Sequence, residues 1–320
     1  MDICGRTQRL NSIALATVLL LTATLGFAQS QEIPRTPWGH PDLNGVWDYS
    51  SATPLQRPAE LEGKTNFNEA EAKVFLSQAE QHLEAAIAVF DGEGNDVGVE
   101  AWIPTDAPLT DDLRTSLIVD PPDGKIPPLT AEAQARFDAT GVVTFSPPAG
   151  PEDRPAYERC IVGFGAGPPI EGFFGYNSLL QIFQSEETVS IMMEMVNDVR
   201  TIHLDDRPYL PQHVRQWKGN SRGFWDGDTL VVETRNFTDK TSFYGSGINM
   251  RVTERFTRIN DTQIEYAYTV NDESFTAPWS ARIPIRKVAD TLFEYACHEV
   301  NRSMESMLRG ARLAEASRDS

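Results

Sequence analysis

The chain is poor in the residues that build metal and redox centres. Only three cysteines, Cys4, Cys160 and Cys297, and five histidines occur in 320 residues. No two histidines stand at i, i+2 or i, i+4, so the common zinc spacings are missing and no metal or other cofactor is expected. Gly-x-Ser-x-Gly is absent, and "GFGAGPP" around Gly163 lacks both the Gly-x-Gly-x-x-Gly spacing and a following helix, so no dinucleotide site is implied. Positive charge is scarce as well: 28 Lys and Arg face 46 Asp and Glu, for a formal charge of −18. Such a surface repels nucleic acid and anionic lipid, and it argues against an acidic substrate. The one apolar run, from Ile13 to Phe27, is interrupted by Thr17, Thr22 and Thr24 and is too short to span a bilayer.

That run reads instead as the core of a cleavable signal peptide over residues 1–28. Arg6 and Arg9 precede it, and Gly26-x-Ala28 follows as the small-residue cleavage site. The expected location is secreted or periplasmic, with cleavage after Ala28 and no membrane insertion of the processed chain. Cys4 lies before the apolar run, so no lipid anchor is indicated. Cleavage leaves Cys160 and Cys297, which in an oxidising compartment are expected to form one disulfide. It would join the start of the β-rich half to its last strand, and closing so long a loop contributes about 4 kcal/mol in a chain-entropy treatment.

Two regions of different character follow the signal peptide. Residues 29–155 hold a first strand, a helical portion and a proline-rich wrapping segment. Prolines crowd between Pro104 and Pro169, where each withholds a donor and biases its predecessor away from helix. "NEAEAKVFLSQAEQHLEAAIAVF" predicts a helix capped by Asn68, with Glu71 at the capping-box position and Phe75, Ala79, Leu83, Ile87 and Phe90 on one stripe. "TAEAQARFDATG" predicts a second, capped by Thr130 and stopped by Gly141. "DGEGNDVGVEAW" carries Asp91, Glu93 and Asn95 at calcium-loop spacing, but Asp96 stands where the turn glycine belongs, leaving an acidic loop.

Residues 156–320 change to a period of two. "LLQIFQ", "TVSIMMEM", "VRTIHL", "GFW", "TLVVETRNF", "MRVTERFTRI", "QIEYAYTV", "SARIPIRKV" and "TLFEYACHEV" predict short strands joined by turns. The expected fold is mainly β: an antiparallel meander that closes into a lipocalin-like barrel, because closure removes the edges, with a C-terminal helix near Ser303 to Ala316 outside it. Gly45-Val46-Trp47 resembles the Gly-x-Trp of the first lipocalin strand. In lipocalins that tryptophan sits at the closed end under a basic residue, a place the resemblance gives to Arg302. Over residues 157–312, the strings "YNSLLQIFQ", "RQWKGNSRGFWDGDTLVVETRNFTDKT" and "EYACHEVNRSM" resemble a family of uncharacterised secreted bacterial proteins. That resemblance implies a bacterial, exported protein and assigns no residue roles.

The chemistry must therefore come from individual residues. In the hairpin "MRVTERFTRINDTQIEYAYTV", a turn centred on Asn260 sets Glu254 opposite Tyr266 and Val252 opposite Tyr268, on an inward apolar face. A desolvated carboxylate there is a candidate general acid or base, or else the partner of an arginine on a nearby strand. In "SIMMEMVNDVRTIHL", a turn over Val196 to Asp198 sets Glu194 opposite Arg200, as an ion pair or an oxyanion-stabilising arginine. His298 shares a strand face with Glu294 and completes a proton-transfer set of Glu254, Glu194, His298 and Arg200. Asn177, Gln181, Tyr266, Tyr268 and Trp217 are candidate pocket residues, with Trp225, Phe237 and Trp279 as further aromatics. The expected ligand is a small apolar or aromatic molecule. The reading is a cofactor-independent acid/base enzyme (lyase, isomerase or hydrolase), against a non-catalytic binding protein with the same cavity.

Overall fold

A computed structural model of the chain describes residues 33–90, 106–165, 167–172, 176–240 and 242–318. The expected signal peptide and the acidic stretch that begins at Asp91 lie outside the described residues. Residues from Glu32 to Ser320 form one compact unit.

Ten strands make one sheet: β1 (Gly45–Asp48), β2 (Ile118–Asp120), β3 (Leu179–Gln184), β4 (Thr188–Met193), β5 (Asp198–His203), β6 (Asn220–Asp226), β7 (Thr229–Arg235), β8 (Arg251–Arg258), β9 (Gln263–Asn271) and β10 (Trp279–Val288). β3 to β10 are neighbours in sequence order, and β1 pairs with both β3 and β10, which closes nine strands into a barrel. Gly45-Val46-Trp47 therefore belongs to the same barrel as the later strands. The short β2, which the sequence did not suggest, pairs with the start of β10. All pairings are antiparallel except β5 with β6, where a single parallel register pair, His203 with Arg222, spans a seam. The loop from Leu204 to Gly219 makes the crossover that this parallel pairing demands.

Alternation builds the core. β8 and β9 bury every second residue: Val252, Glu254, Phe256 and Arg258 on one, Ile264, Tyr266, Tyr268 and Val270 on the other. The register differs from expectation by two residues, with Glu254 opposite Tyr268 and Phe256 opposite Tyr266. A slip of two keeps the same face inward. The β4–β5 slip is three: Ile191, not Glu194, lies opposite Arg200, because the turn spans Met195–Asn197 with Val196 and Asn197 at positive φ. The expected Glu194–Arg200 pair does not form.

Three helices lie outside the barrel: α1 (Glu69–Phe90), α2 (Ala131–Phe145) and α3 (Ser303–Arg318). The capping box of α1 is present, Glu71 N–H donating to Asn68 at 3.0 Å and Asn68 N–H to Glu71 at 2.9 Å. Ala72 and Phe75 pack with Phe67 and Leu109. Thr130 caps α2, but the helix runs through Gly141 to Phe145, since one glycine costs only about 1 kcal/mol in a helix. "TLFEYACHEV" is not a strand. β9 occupies one side of β10 while β1 and β2 occupy the other, so no edge is left for it. The segment is instead an irregular strap held by the Cys160–Cys297 disulfide, which joins two loops and not a last strand.

The two barrel ends differ. At one, Trp47 is fully buried, its Nε1 donating to Leu43 O at 3.0 Å, with the Arg258 guanidinium 5.2 Å from its ring. Arg258, joined by Lys287 with its Nζ 5.6 Å from the ring, takes the place expected for Arg302. It also donates to the carbonyls of Asp42, Asn260 and Asp261. Gly45 has φ +139°, a backbone conformation that residues with a side chain rarely adopt, so the glycine of Gly-x-Trp is a backbone requirement. The strand ends Asp48, Arg235 and Asn271, with the strand starts Leu179, Asp198, Arg251 and Trp279, surround the opposite end.

Candidate functional site at the plugged end

Residues 167–172 enter this second end. Ile170 is fully buried there and its N–H donates to the Tyr266 hydroxyl at 2.9 Å. Gly172 passes so close to the wall that a Cβ would sit 2.9 Å from Leu117 and 3.1 Å from Ile283. The plug is thus seated by a hydrogen bond and by a glycine that permits close approach.

Beneath the plug runs a buried polar chain. Tyr266 donates to Glu254 Oε1 at 2.8 Å, and Arg200 grips the same carboxylate with both terminal nitrogens. Glu254 is 0% and Arg200 10% exposed. Lys218, just before β6, pairs with Asp198 two residues from Arg200. Burial pulls the Arg200 pKa down, but the Glu254 charge and hydrogen bonds outweigh it and leave the guanidinium above its ordinary value. Tyr266 is pushed well up, first by burial and then by Glu254. Held by two guanidinium nitrogens and the Tyr266 hydroxyl, the Glu254 carboxylate is placed as the structural counter-ion of Arg200.

The remaining members of the sequence-derived set lie elsewhere. Glu194 is buried at the β4 end; burial raises its carboxyl, against contacts from the Asn177 side chain and the backbone of Phe293 and Leu179. His298 is exposed in the strap. No contact among the described residues joins Glu254, Glu194 and His298. Gln181 points away from buried Leu180 and Ile182, on the outer face of β3, while Trp217 is half-buried in the β5–β6 loop. Trp225 stacks on His40 at 4.5 Å, near the Trp47 end. Tyr268 does face the interior.

Around Tyr268 the structure assembles a group that the sequence reading only partly named. Trp279 lies 5.7 Å from Tyr268, and Phe243 stacks on Trp279 at 5.7 Å and 9°. The Tyr268 hydroxyl and Trp279 Nε1 are both buried and find no hydrogen-bond partner. Glu171, on the plug, accepts from the Tyr244 hydroxyl. Burial pushes the Glu171 carboxyl up to about 7. Its charge in turn adds to the burial that raises Tyr268. Glu171 and Tyr244 were missed because they sit in irregular segments with no period. The one available signal was a lone carboxylate within the apolar stretch Ile170–Tyr176. Among the described residues no group of three or more His, Cys, Asp or Glu side chains is placed to hold a metal ion.

No family model, curated protein or solved structure matches the chain, so its site has to be judged on its own geometry.

Proposed function

We propose that the protein is an exported small-molecule-binding barrel, bacterial in origin, that takes an apolar or aromatic molecule carrying one hydrogen-bonding group at its plugged end. The observation that carries this reading is the adjacent pair of buried, unpartnered polar groups, the Tyr268 hydroxyl and Trp279 Nε1. Leaving a buried polar group unmet costs about 1–3 kcal/mol, and two on rings whose centroids lie 5.7 Å apart are groups that a ligand's polar atoms would relieve. Tyr244, 36% exposed and in ring contact with Trp279 at 6.5 Å, links this cluster to the surface. The disulfide suits an oxidising compartment, in keeping with export.

A second reading, a cofactor-independent lyase or isomerase, draws on one observation: a carboxyl near 7 hydrogen-bonded to a tyrosine hydroxyl is suited to proton transfer. It would use Glu171 and Tyr244 in place of Glu254, Glu194 and His298.

The test is fluorescence titration with N-phenyl-1-naphthylamine, a neutral aromatic amine. Saturable binding that weakens roughly tenfold, about 1.4 kcal/mol, in Tyr268→Phe or Trp279→Phe supports the site. Absent binding, or affinity unchanged in both variants, sinks it.

A further inference from the structure

A cavity of about 510 Å³ opens where β7 ends and β8 begins. Its lining brings together Arg215 from the β5–β6 loop, Arg235 at the last position of β7 and Arg251 at the first position of β8. No Asp or Glu lines it. Two other wall arginines are neutralised, Arg255 by Asp226 and Arg286 by Asp111, while Arg222 and Arg258 spend their donors on backbone carbonyls. None of the three cavity arginines forms an ion pair among the described residues. Arg215 is fixed by donating to Ile248 O at 2.7 Å, and Arg235 lies flat on the Tyr209 ring at 3.5 Å. The nearby carboxylates are committed to neutral partners, Glu233 to the Tyr209 hydroxyl and Glu273 to the Asn249 side chain.

The loop that carries Arg215 is held in place. Asn236, 5% exposed and at φ +66°, donates from its side chain to Leu210 O at 2.9 Å, and Gln216 pairs with the backbone beside Phe237. Three guanidinium groups gathered on a rigid frame repel one another, and a chain of charge −18 gains no solubility from that cluster. A bound anion removes the repulsion. Leu210 and Ile248 add apolar wall to the same cavity.

We propose that this cavity binds a small organic anion, a phosphate, sulfate or carboxylate head on a short apolar body, with Arg215, Arg235 and Arg251 holding the head. Net charge argues against anionic ligands, but the field inside a cleft is set by its lining. The ligand class and residues differ from those at the plugged end, so the two readings stand or fall separately.

Calorimetric titration with phenyl phosphate, inorganic phosphate and benzyl alcohol at low salt tests the proposal. Phenyl phosphate should bind saturably, should lose affinity about tenfold or more in Arg251→Gln as a charge-assisted hydrogen bond is removed, and should weaken as salt screens the pocket. Inorganic phosphate should bind more weakly, and benzyl alcohol not at all. Arg251 is exposed, so its variant should keep the wild-type circular dichroism spectrum and N-phenyl-1-naphthylamine affinity. Arg255→Gln, paired outside the cavity, should bind phenyl phosphate normally. Unchanged affinity in an Arg235→Gln/Arg251→Gln double variant, or equal affinity for benzyl alcohol, overturns the site. Equal affinity for inorganic phosphate and phenyl phosphate overturns the organic-anion assignment.

Discussion

Arg200 on β5 and Glu254 on β8 meet inside the barrel, although two strands of the sheet, β6 and β7, lie between theirs and no loop joins the two directly. Both guanidinium nitrogens reach the carboxylate, and Tyr266 supplies a third donor. Removing one partner of such a pair leaves a buried charge uncompensated. Glu254→Gln should therefore lower stability by about 3–5 kcal/mol in urea unfolding, and Arg200→Met combined with Glu254→Leu should recover most of it. A Gln variant within about 1 kcal/mol of wild type would show that the pair does not matter to the fold.

Glu171 should make stability depend on pH. Its carboxyl titrates near 7 in the native state, against about 4.3 in an unfolded chain. The native form holds a proton that the unfolded form has released, so this contribution is complete below the unfolded value and is lost as pH rises through about 7. Relative to Glu171→Gln, the wild type should lose about 3–4 kcal/mol between those limits. Tyr244→Phe, which deletes a donor to the carboxylate, should move the midpoint higher still. Parallel pH profiles for wild type and Glu171→Gln would refute the assignment.

Cys160 and Cys297 should appear as one linked peptide in a non-reduced digest. Because the bridge ties the strap to an outer loop, Cys297→Ser should free the strap to protease while the strand amides of β7 to β10 stay protected. Two freely alkylated thiols in protein purified without reductant would count against the linkage.

Arg258 should tolerate no lysine. It meets three backbone carbonyls and the Trp47 ring at once. An ammonium has no planar fork with which to do so, and Arg258→Lys should cost about 2 kcal/mol in thermal or urea unfolding. A neutral substitution would mean that Trp47 closes its end unaided.

How much of this was readable depended on parity. β8 and β9 alternate so regularly that the inward face of Glu254 survived a two-residue error of register. The β4–β5 turn has no such protection: positive φ at Val196 and Asn197 is not encoded by residues that demand it, and a three-residue error paired Arg200 with the wrong carboxylate. "YACHEV" alternates like a strand, yet pairing is a tertiary property and both sides of β10 were already taken. Glu171 owes its environment to where a proline-rich segment crosses the barrel mouth, which no local pattern specifies.

The β5–β6 seam gives the ring a joint. Every other junction is a ladder, whereas here one register pair bridges two strands whose facing amides have few strand partners. In hydrogen exchange, amides of β5 and β6 that face each other should lose protection well before those of β8 and β9, through openings far smaller than global unfolding. The Lys218–Asp198 pair spans the same junction and acts as its latch. Lys218→Met should therefore quicken exchange along β5 while leaving the β8–β9 amides unchanged, so that the barrel breathes from one side like a cuff unfastened at a single button.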